Sequence, residues 1–387
     1  MSPLDAVAGV LLIAGGAAVA SGALPLDTAH ATLGRIAPLI AFLAGVIVLA
    51  ELATAADLFD VIAVRLTIAA RGRNAALFAM CFAFATVTTV FLNLDTTAVL
   101  VTPVMLATAR RSGVPPLPLA MTTVWLANAA SILLPVSNLT NLLAADRIGA
   151  HEDPVDFALR MALPQLTVLA VVAASLWMCY WRRNPARYEP PDPLYPRNPR
   201  TYAAAAVVVL AFIGGIIAGI NITLDAVAAA AVLVLAYAIG NRPALSWRLL
   251  PWRLAALVVG LFLVMATLSA HGLQTVMTTL IGTDPGASGA FRAAATGAGL
   301  GNLLNNLPVY VAGEAAIPVA HHTQLIALLI GTNVGVIVTP WAALATLLWA
   351  QHCRAAELAV PWRRFVLTGA ATAIIAVPAA VAVLLAT

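Results

Sequence analysis

The chain has 387 residues, of which 62% are hydrophobic and only 9% are charged. A soluble domain carries about a quarter of its residues as charged side chains, so this composition excludes a water-soluble globule. The formal charge is +4 and every basic residue is an arginine. These arginines lie in short loops between apolar stretches, where they orient a membrane protein rather than bind nucleic acid. The composition therefore predicts an all-α polytopic protein embedded in the lipid bilayer of the cytoplasmic membrane.

Apolar stretches of membrane-spanning character recur along the whole chain, since a spanning helix needs about 20 mostly apolar residues. In the first half the predicted segments are 4–22, 36–52, 57–70, 75–109, 118–145 and 158–181. In the second half they are 201–220, 223–240, 254–271, 288–320, 323–351 and 364–386. About ten of these are predicted to be transmembrane helices. Segments 75–109 and 288–320 are predicted to be re-entrant hairpins, and 118–145 and 323–351 to be broken helices.

A polar segment, RRNPARYEPPDPLYPRNPR, separates the two halves at residues 182–200. Its prolines and arginines predict a solvated linker, which the positive-inside rule places in the cytoplasm. The linker divides the chain into two predicted repeats, 1–181 and 201–387. Counting crossings outward from it places Arg35 inside and the loop 146–156 outside. The first repeat then starts out-to-in and the second in-to-out, the inverted arrangement known from secondary transporters.

Four polar clusters interrupt segments that are otherwise apolar, one in each hairpin and one in each predicted broken helix. Pro135 and Pro340 cannot donate a backbone hydrogen bond, so they break their helices. Freed backbone groups in hydrocarbon are costly unless protein or water satisfies them, so breaks are expected only beside a polar cavity. We predict a substrate site where the clusters meet. Its members are Asn93, Thr96, Thr97, Ser137, Asn138, Asn141, Asn305, Asn306, Thr332, Asn333 and Thr339.

Asp95 is a carboxylate placed within the first hairpin cluster. A charge there is expensive, so the side chain is expected to be protonated, paired or exposed to a wet cavity. A carboxyl in apolar surroundings favours its neutral form, which suits proton coupling. The alternative is a cap on the free N–H groups of the hairpin tip. Glu314 in the second hairpin is a further candidate, whereas Glu51, Asp57 and Asp60 are expected to be solvated at a helix end.

The clusters also carry a family resemblance, through DTTAVLVTP from Asp95, SNLTN from Ser137, NNLP from Asn305 and TPWAALATLLW from Thr339. In these motifs the sequence resembles arsenite permeases of the ArsB type, within the ion transporter superfamily that includes citrate and dicarboxylate carriers. The resemblance implies two hairpins and two broken helices around one substrate site. It also implies efflux of arsenite or antimonite in exchange for protons, with Asp95 at an acidic position of the first hairpin.

The sequence departs from this resemblance at two positions. Asn128 and Asn333 stand where such permeases often carry Asp, which leaves both coupling ion and substrate open. The alternatives are a sodium- or proton-coupled carrier of an organic anion such as citrate or a dicarboxylate, and a Na+/H+ antiporter. Dimers occur in the superfamily, so a homodimer stays open. No metal-ligand spacing or intramembrane protease motif is present in the sequence, so we expect neither a metal, a cofactor nor an enzyme.

Overall fold

The computed structural model describes residues 3–149, 154–240, 243 and 245–387, and these residues form helices without a β-strand. The helices of the first half are α1 (Pro3–Ala20), α2 (Leu26–Ala55), α3 (Leu58–Ala69), α4 (Asn74–Leu92), α5 (Leu94–Thr96), α6 (Thr102–Ser112), α7 (Pro116–Ala129), α8 (Leu139–Arg147) and α9 (Pro154–Leu176). Those of the second half are α10 (Pro199–Ile217), α11 (Ile222–Gly240), α12 (Trp252–Leu268), α13 (Gln274–Ile281), α14 (Ala287–Leu303), α15 (Asn306–Ala316), α16 (His322–Val334), α17 (Leu344–Ala355) and α18 (Trp362–Ala386).

Long apolar helices confirm the all-α polytopic class. Within the described part of the chain, seven helical segments have the length and composition to cross a bilayer. They are Leu26–Ala55, Asn74–Leu92, Val155–Trp181, Pro199–Ile217, Ile222–Ile239, Trp252–Ile281 and Trp362–Ala386. The protein is therefore a multi-pass membrane protein. The predicted segments 118–145 and 323–351 are absent from this set because each is interrupted in the middle.

The predicted hairpins turn at their polar clusters and the predicted broken helices are interrupted at theirs, while the re-entrant course of the hairpins stays a prediction. Helix α4 turns at Asn93 into α5, and a wide helical turn over Thr97–Val101 continues α5 into α6. Thr89 on the first arm donates a hydrogen bond of 3.0 Å to Thr97 on the second. Helices α14 and α15 form the second hairpin around Leu304. Residues 130–138 separate α7 from α8, and residues 335–343 separate α16 from α17.

Helix α3 corrects the predicted crossing at 57–70. With 12 residues it is about 18 Å long, well short of a hydrocarbon core of about 30 Å. Both of its ends meet the linker: Asp57 pairs with Arg197 at 2.6 Å, and the Tyr188 amide donates to the Gly72 carbonyl at 2.8 Å. The prediction of a crossing here is wrong, because α3 lies along the face of the molecule that carries the linker. We call this the linker face.

The position of Arg35 is the second point at which the structure corrects a prediction. Because α2 begins at Leu26, Arg35 lies within the helix, about 30 Å from its linker-face end at a rise of about 1.5 Å per residue. Its guanidinium pairs with Asp146 at 3.0 Å and with Glu314 at 2.5 Å. Arg35 and Asp146 were predicted on different faces, yet they share the face opposite the linker. The positive-inside rule applies to arginines in loops. Arg35 lies within a helix and pairs with two carboxylates, so this rule does not place it. Residues 150–153 of the predicted outer loop lie outside the described residues.

The helices pack into two groups. In the first packing group α1, α2, α10, α11 and α12 lie side by side. Small residues allow this: a Cβ at Gly260 would collide with the Leu12 backbone, and one at Gly45 would come within 2.9 Å of the Ala226 backbone. The second packing group contains both hairpins, both broken helices, α9 and α18. The division into inverted repeats and the cytoplasmic side of the linker stay predictions.

Candidate transport site

The tip of the first hairpin is built around Asn93. Its backbone has φ +83°, a left-handed conformation that Asn tolerates better than most residues. The Asn93 side-chain oxygen accepts a hydrogen bond of 2.9 Å from the Thr96 amide, and Thr97 donates to the Asn93 carbonyl at 2.9 Å. Asn93 is therefore the cap of the second arm. Asp95 does not fill the capping role: its Oδ1 is buried without a hydrogen-bond partner among the described residues.

The tip of the second hairpin is fastened to the break between α16 and α17. The Asn305 amide group donates to the Trp341 carbonyl at 3.0 Å, and the Asn306 backbone N–H donates to the Ala342 carbonyl at 2.8 Å. The Asn305 side-chain oxygen accepts a hydrogen bond from the Leu307 amide at 3.3 Å, which caps α15. Hairpin tip and helix break thus satisfy each other's freed backbone groups, as the interior of a membrane requires.

The first break is fastened in a comparable way. The Ser137 hydroxyl donates to the Val90 carbonyl of the first hairpin at 2.8 Å. Asn141 donates from its amide to the carbonyls of Ser131 at 2.6 Å and Leu134 at 2.8 Å. Asn141 thus binds backbone carbonyls within the break, and Ser137 attaches the break to the first hairpin. Their role in the structure is to hold the break in shape.

The two broken helices also contact each other directly. Asn333 donates to the Asn141 side chain at 2.9 Å and accepts from the Thr140 hydroxyl at 2.9 Å. On the other side of the breaks, Asn128 donates to the Thr346 hydroxyl at 3.3 Å. All five side chains are buried. The Asn333 side chain thus pairs with neutral partners through both its amide group and its oxygen, so uncharged side chains join the two broken helices.

All four polar clusters border one cavity of about 350 Å³, which we call the central cavity. Each cluster contributes to its wall, and α1, α2 and α12 of the first packing group close the remaining side with leucine and valine. The polar residues in the wall are Asp95, Asn138, Asn305 and Asn306. The structure therefore brings together clusters from both halves of the chain.

A second cavity of about 280 Å³ adjoins the first, and we call it the linker-side cavity. Asp95, Leu254, Leu257 and Leu344 line both cavities. The linker-side cavity also contains Thr96, together with Glu51, Arg253 and Gln351. Asp95 thus stands at the junction between the two spaces.

The remaining predicted site residues lie behind the cavity wall. Thr332 donates to the carbonyl of Leu328 at 3.1 Å, and Thr339 donates to the Asn302 carbonyl at 2.8 Å. Their hydroxyls hold the backbone in place. Seven predicted residues line neither cavity: Asn93, Thr97, Ser137, Asn141, Thr332, Asn333 and Thr339.

Glu51 was expected to be solvated at a helix end, and it is half-buried close to the end of α2. Helix α2 continues to Ala55, so Glu51 lies one turn inside it and faces the linker-side cavity. Ile47, Ala50 and Glu51 line this cavity together. Their spacing of three and four residues places them on one helix face. The shared face follows from the helix period, whereas its position on the cavity is set by packing.

Discontinuous helices whose polar tips enclose a cavity in the middle of an integral membrane protein define a secondary transporter. The family model described as CitMHS, citrate transporter, matches residues 2–331, and the chain belongs to this family. The arsenical pump membrane protein of Yersinia enterocolitica is 27% identical over 351 residues, 84% of this chain and 80% of that protein. The protein of the same name from Escherichia coli K12 is 27% identical over 361 residues, 85% of this chain and 81% of that one.

A solved structure has a similar fold. The YdaH transporter of Alcanivorax borkumensis, whose structure is described as having an unusual topology, matches with a TM-score of 0.60. The match covers 94% of this chain and 89% of that one, at 13% sequence identity. At this identity the likeness concerns the fold alone.

Proposed function

We propose that the protein exports arsenite or antimonite from the cell in exchange for protons. The observation that carries the proposal is the polar lining of the central cavity, which consists of three uncharged amides and one carboxyl. Arsenite near neutral pH is mostly an uncharged trihydroxide. Its hydroxyls can donate to and accept from amide groups, so Asn138, Asn305 and Asn306 suit it without a countercharge. The arsenical pump relatives give independent support.

Asp95 is the proposed proton-coupling residue. It stands where the two cavities join, and its Oδ1 has no hydrogen-bond partner among the described residues. A carboxylate without a partner in apolar surroundings is stabilised by taking up a proton. Substrate and proton then compete for one space, because a solute in the central cavity changes the solvation of the carboxyl. Such competition is the minimum that exchange of one for the other requires.

Sodium- or proton-coupled transport of an organic anion such as citrate is the second candidate. The family description supports it, and so does Arg253, which lines the linker-side cavity next to the central one. A multivalent carboxylate needs compensating positive charge, and an arginine beside the site supplies it. In the central cavity itself, however, the one charged lining residue is the acidic Asp95. This placement disfavours a trivalent anion there.

Everted membrane vesicles containing the protein test both candidates in one assay. An imposed proton gradient is expected to drive uptake of radiolabelled arsenite, while citrate uptake stays at the level of vesicles without the protein. Asp95→Asn vesicles serve as the matched control, because the variant keeps size and polarity but cannot titrate. Citrate uptake without arsenite uptake would replace the first candidate by the second. Dissipating the proton gradient in one sample and the sodium gradient in another identifies the coupling ion, because uptake stops when the gradient that drives it is lost.

A further inference from the structure

Arg35, Glu314 and Asp146 form an ion-pair triad on the face opposite the linker. The Arg35 guanidinium lies 2.5 Å from Glu314 Oε1 and 3.0 Å from Asp146 Oδ2. The Glu314 side chain is only 3% exposed, whereas Arg35 is 36% exposed. A buried carboxylate depends on its partner, because removing one member of such a pair leaves a charge without compensation.

The triad joins the two packing groups. Arg35 belongs to α2 in the first group, whereas Glu314 is on the second hairpin and Asp146 ends a broken helix in the second group. The adjacent Arg147 donates to the Ile317 carbonyl at 3.2 Å, which fastens the end of α8 to the end of α15. Arg35 therefore attaches α2 of the first packing group to α8 and α15 of the second packing group.

The second hairpin connects this triad to the transport site. At one end of α15, Asn305 and Asn306 line the central cavity; at the other end, Glu314 binds Arg35. The linker-side cavity extends from Asp95 to Glu51, near the linker-face end of α2. In this conformation the cavities thus extend toward the linker face, while the triad joins the two packing groups on the opposite face.

We propose that Arg35 is a positioning residue for transport, which stabilises the conformation facing the linker and releases Glu314 when the site opens to the opposite face. A carrier must expose its site to each side in turn, so contacts between its moving parts differ between the two states. An interaction present in one state alone shifts the equilibrium by its own free energy. This inference goes beyond the substrate, since it requires only that the protein alternates between two states.

Cysteine labelling tests the inference without any substrate. The three native cysteines, Cys81, Cys179 and Cys353, are replaced by alanine. Leu348→Cys in the linker-side cavity then reports access from the linker face to a membrane-impermeant maleimide in oriented vesicles. We expect Arg35→Gln to lower the labelling rate about fivefold or more, the range typical of coupling between sites. Arg35→Lys, which keeps the charge, is expected to label close to the parent.

The matched control is Arg160→Gln, which removes the exposed pair that Arg160 forms with Asp156 one turn away on α9. It is expected to leave labelling unchanged. The double variant Arg35→Gln, Glu314→Gln leaves no unpaired buried charge, so it distinguishes loss of the contact from misfolding. We expect it to match the Arg35→Gln labelling rate. Wild-type labelling in both folded variants would overturn the inference, while arsenite transport tests the proposed function separately.

Discussion

At the residue scale, the proposed coupling depends most on Asp95, because its carboxyl borders both cavities and its Oδ1 has no hydrogen-bond partner among the described residues. Asp95→Asn removes its titration and keeps its shape. Arsenite uptake driven by a proton gradient is expected to fall at least tenfold, while arsenite counterflow without a gradient persists. Both fluxes are measured in the same vesicles. A variant that still accumulates arsenite against its gradient would exclude Asp95 as the coupling residue.

Glu51 provides a second prediction at this scale. It lines the linker-side cavity together with Asp95 and forms no hydrogen bond or ion pair among the described residues. We expect Glu51→Gln to slow proton exchange between Asp95 and the solution at the linker face, and Glu51→Asp to restore it. The measurement is arsenite-driven proton flux with an enclosed pH dye. Rescue of Glu51→Gln by a small weak acid such as formate would support a proton-transfer role. The same pH dependence of arsenite-driven proton flux in Glu51→Gln and in wild type would contradict this role.

At the scale of elements, the first hairpin depends on one residue at its tip. Asn93 supplies a left-handed backbone and the cap of the second arm. Asn93→Gly keeps the backbone and loses the cap, whereas Asn93→Ala loses both. Loss of such a cap costs about 1 kcal/mol, and a non-glycine residue with positive φ adds to it. We expect a lower midpoint of thermal unfolding in detergent for Ala than for Gly. Equal midpoints would show that backbone strain at the tip is negligible.

The contact between α3 and the linker predicts a pH dependence. The Arg197 guanidinium lowers the pKa of Asp57, chiefly through their side-chain hydrogen bonds. A lowered folded-state pKa means that the pair stabilises the protein above the ordinary carboxyl value. That contribution is lost as pH falls below about 4. Thermal unfolding of wild type should therefore lose more stability on acidification than Arg197→Gln. Parallel curves for the two proteins would contradict this prediction.

At the scale of the whole molecule, the two halves are joined through their broken helices. Asn333 of the second half binds Asn141 and Thr140 of the first, all of them buried. Single Asn→Ala changes leave a buried amide partner unsatisfied, at about 1–3 kcal/mol each, whereas the double change removes both groups. We expect a double-mutant cycle on Asn141 and Asn333 to show a coupling of about 1 kcal/mol in unfolding. Strict additivity would mean that the contact contributes nothing.

The placement of polar residues in the sequence predicted much of this fold. Polar clusters with Pro135 and Pro340 break apolar segments for local reasons: a missing N–H and side chains that bind nearby carbonyls. The breaks after Ala129 and before Leu344 follow directly. The predicted crossing at 57–70 was wrong because apolar composition alone does not distinguish a helix that crosses the membrane from one that lies along a face.

The sequence by itself determined that this chain is a membrane protein and that four polar clusters interrupt its apolar segments. Composition and helix breaking are local properties, so neither needs the tertiary structure. Only the tertiary structure decided which amides face the cavity and which bind each other. Asn138 and Asn333 each lie in the polar cluster of a predicted broken helix. Asn138 lines the central cavity, whereas Asn333 joins the two broken helices. Their roles depend on partners about two hundred residues away, and contacts over such distances are set by packing.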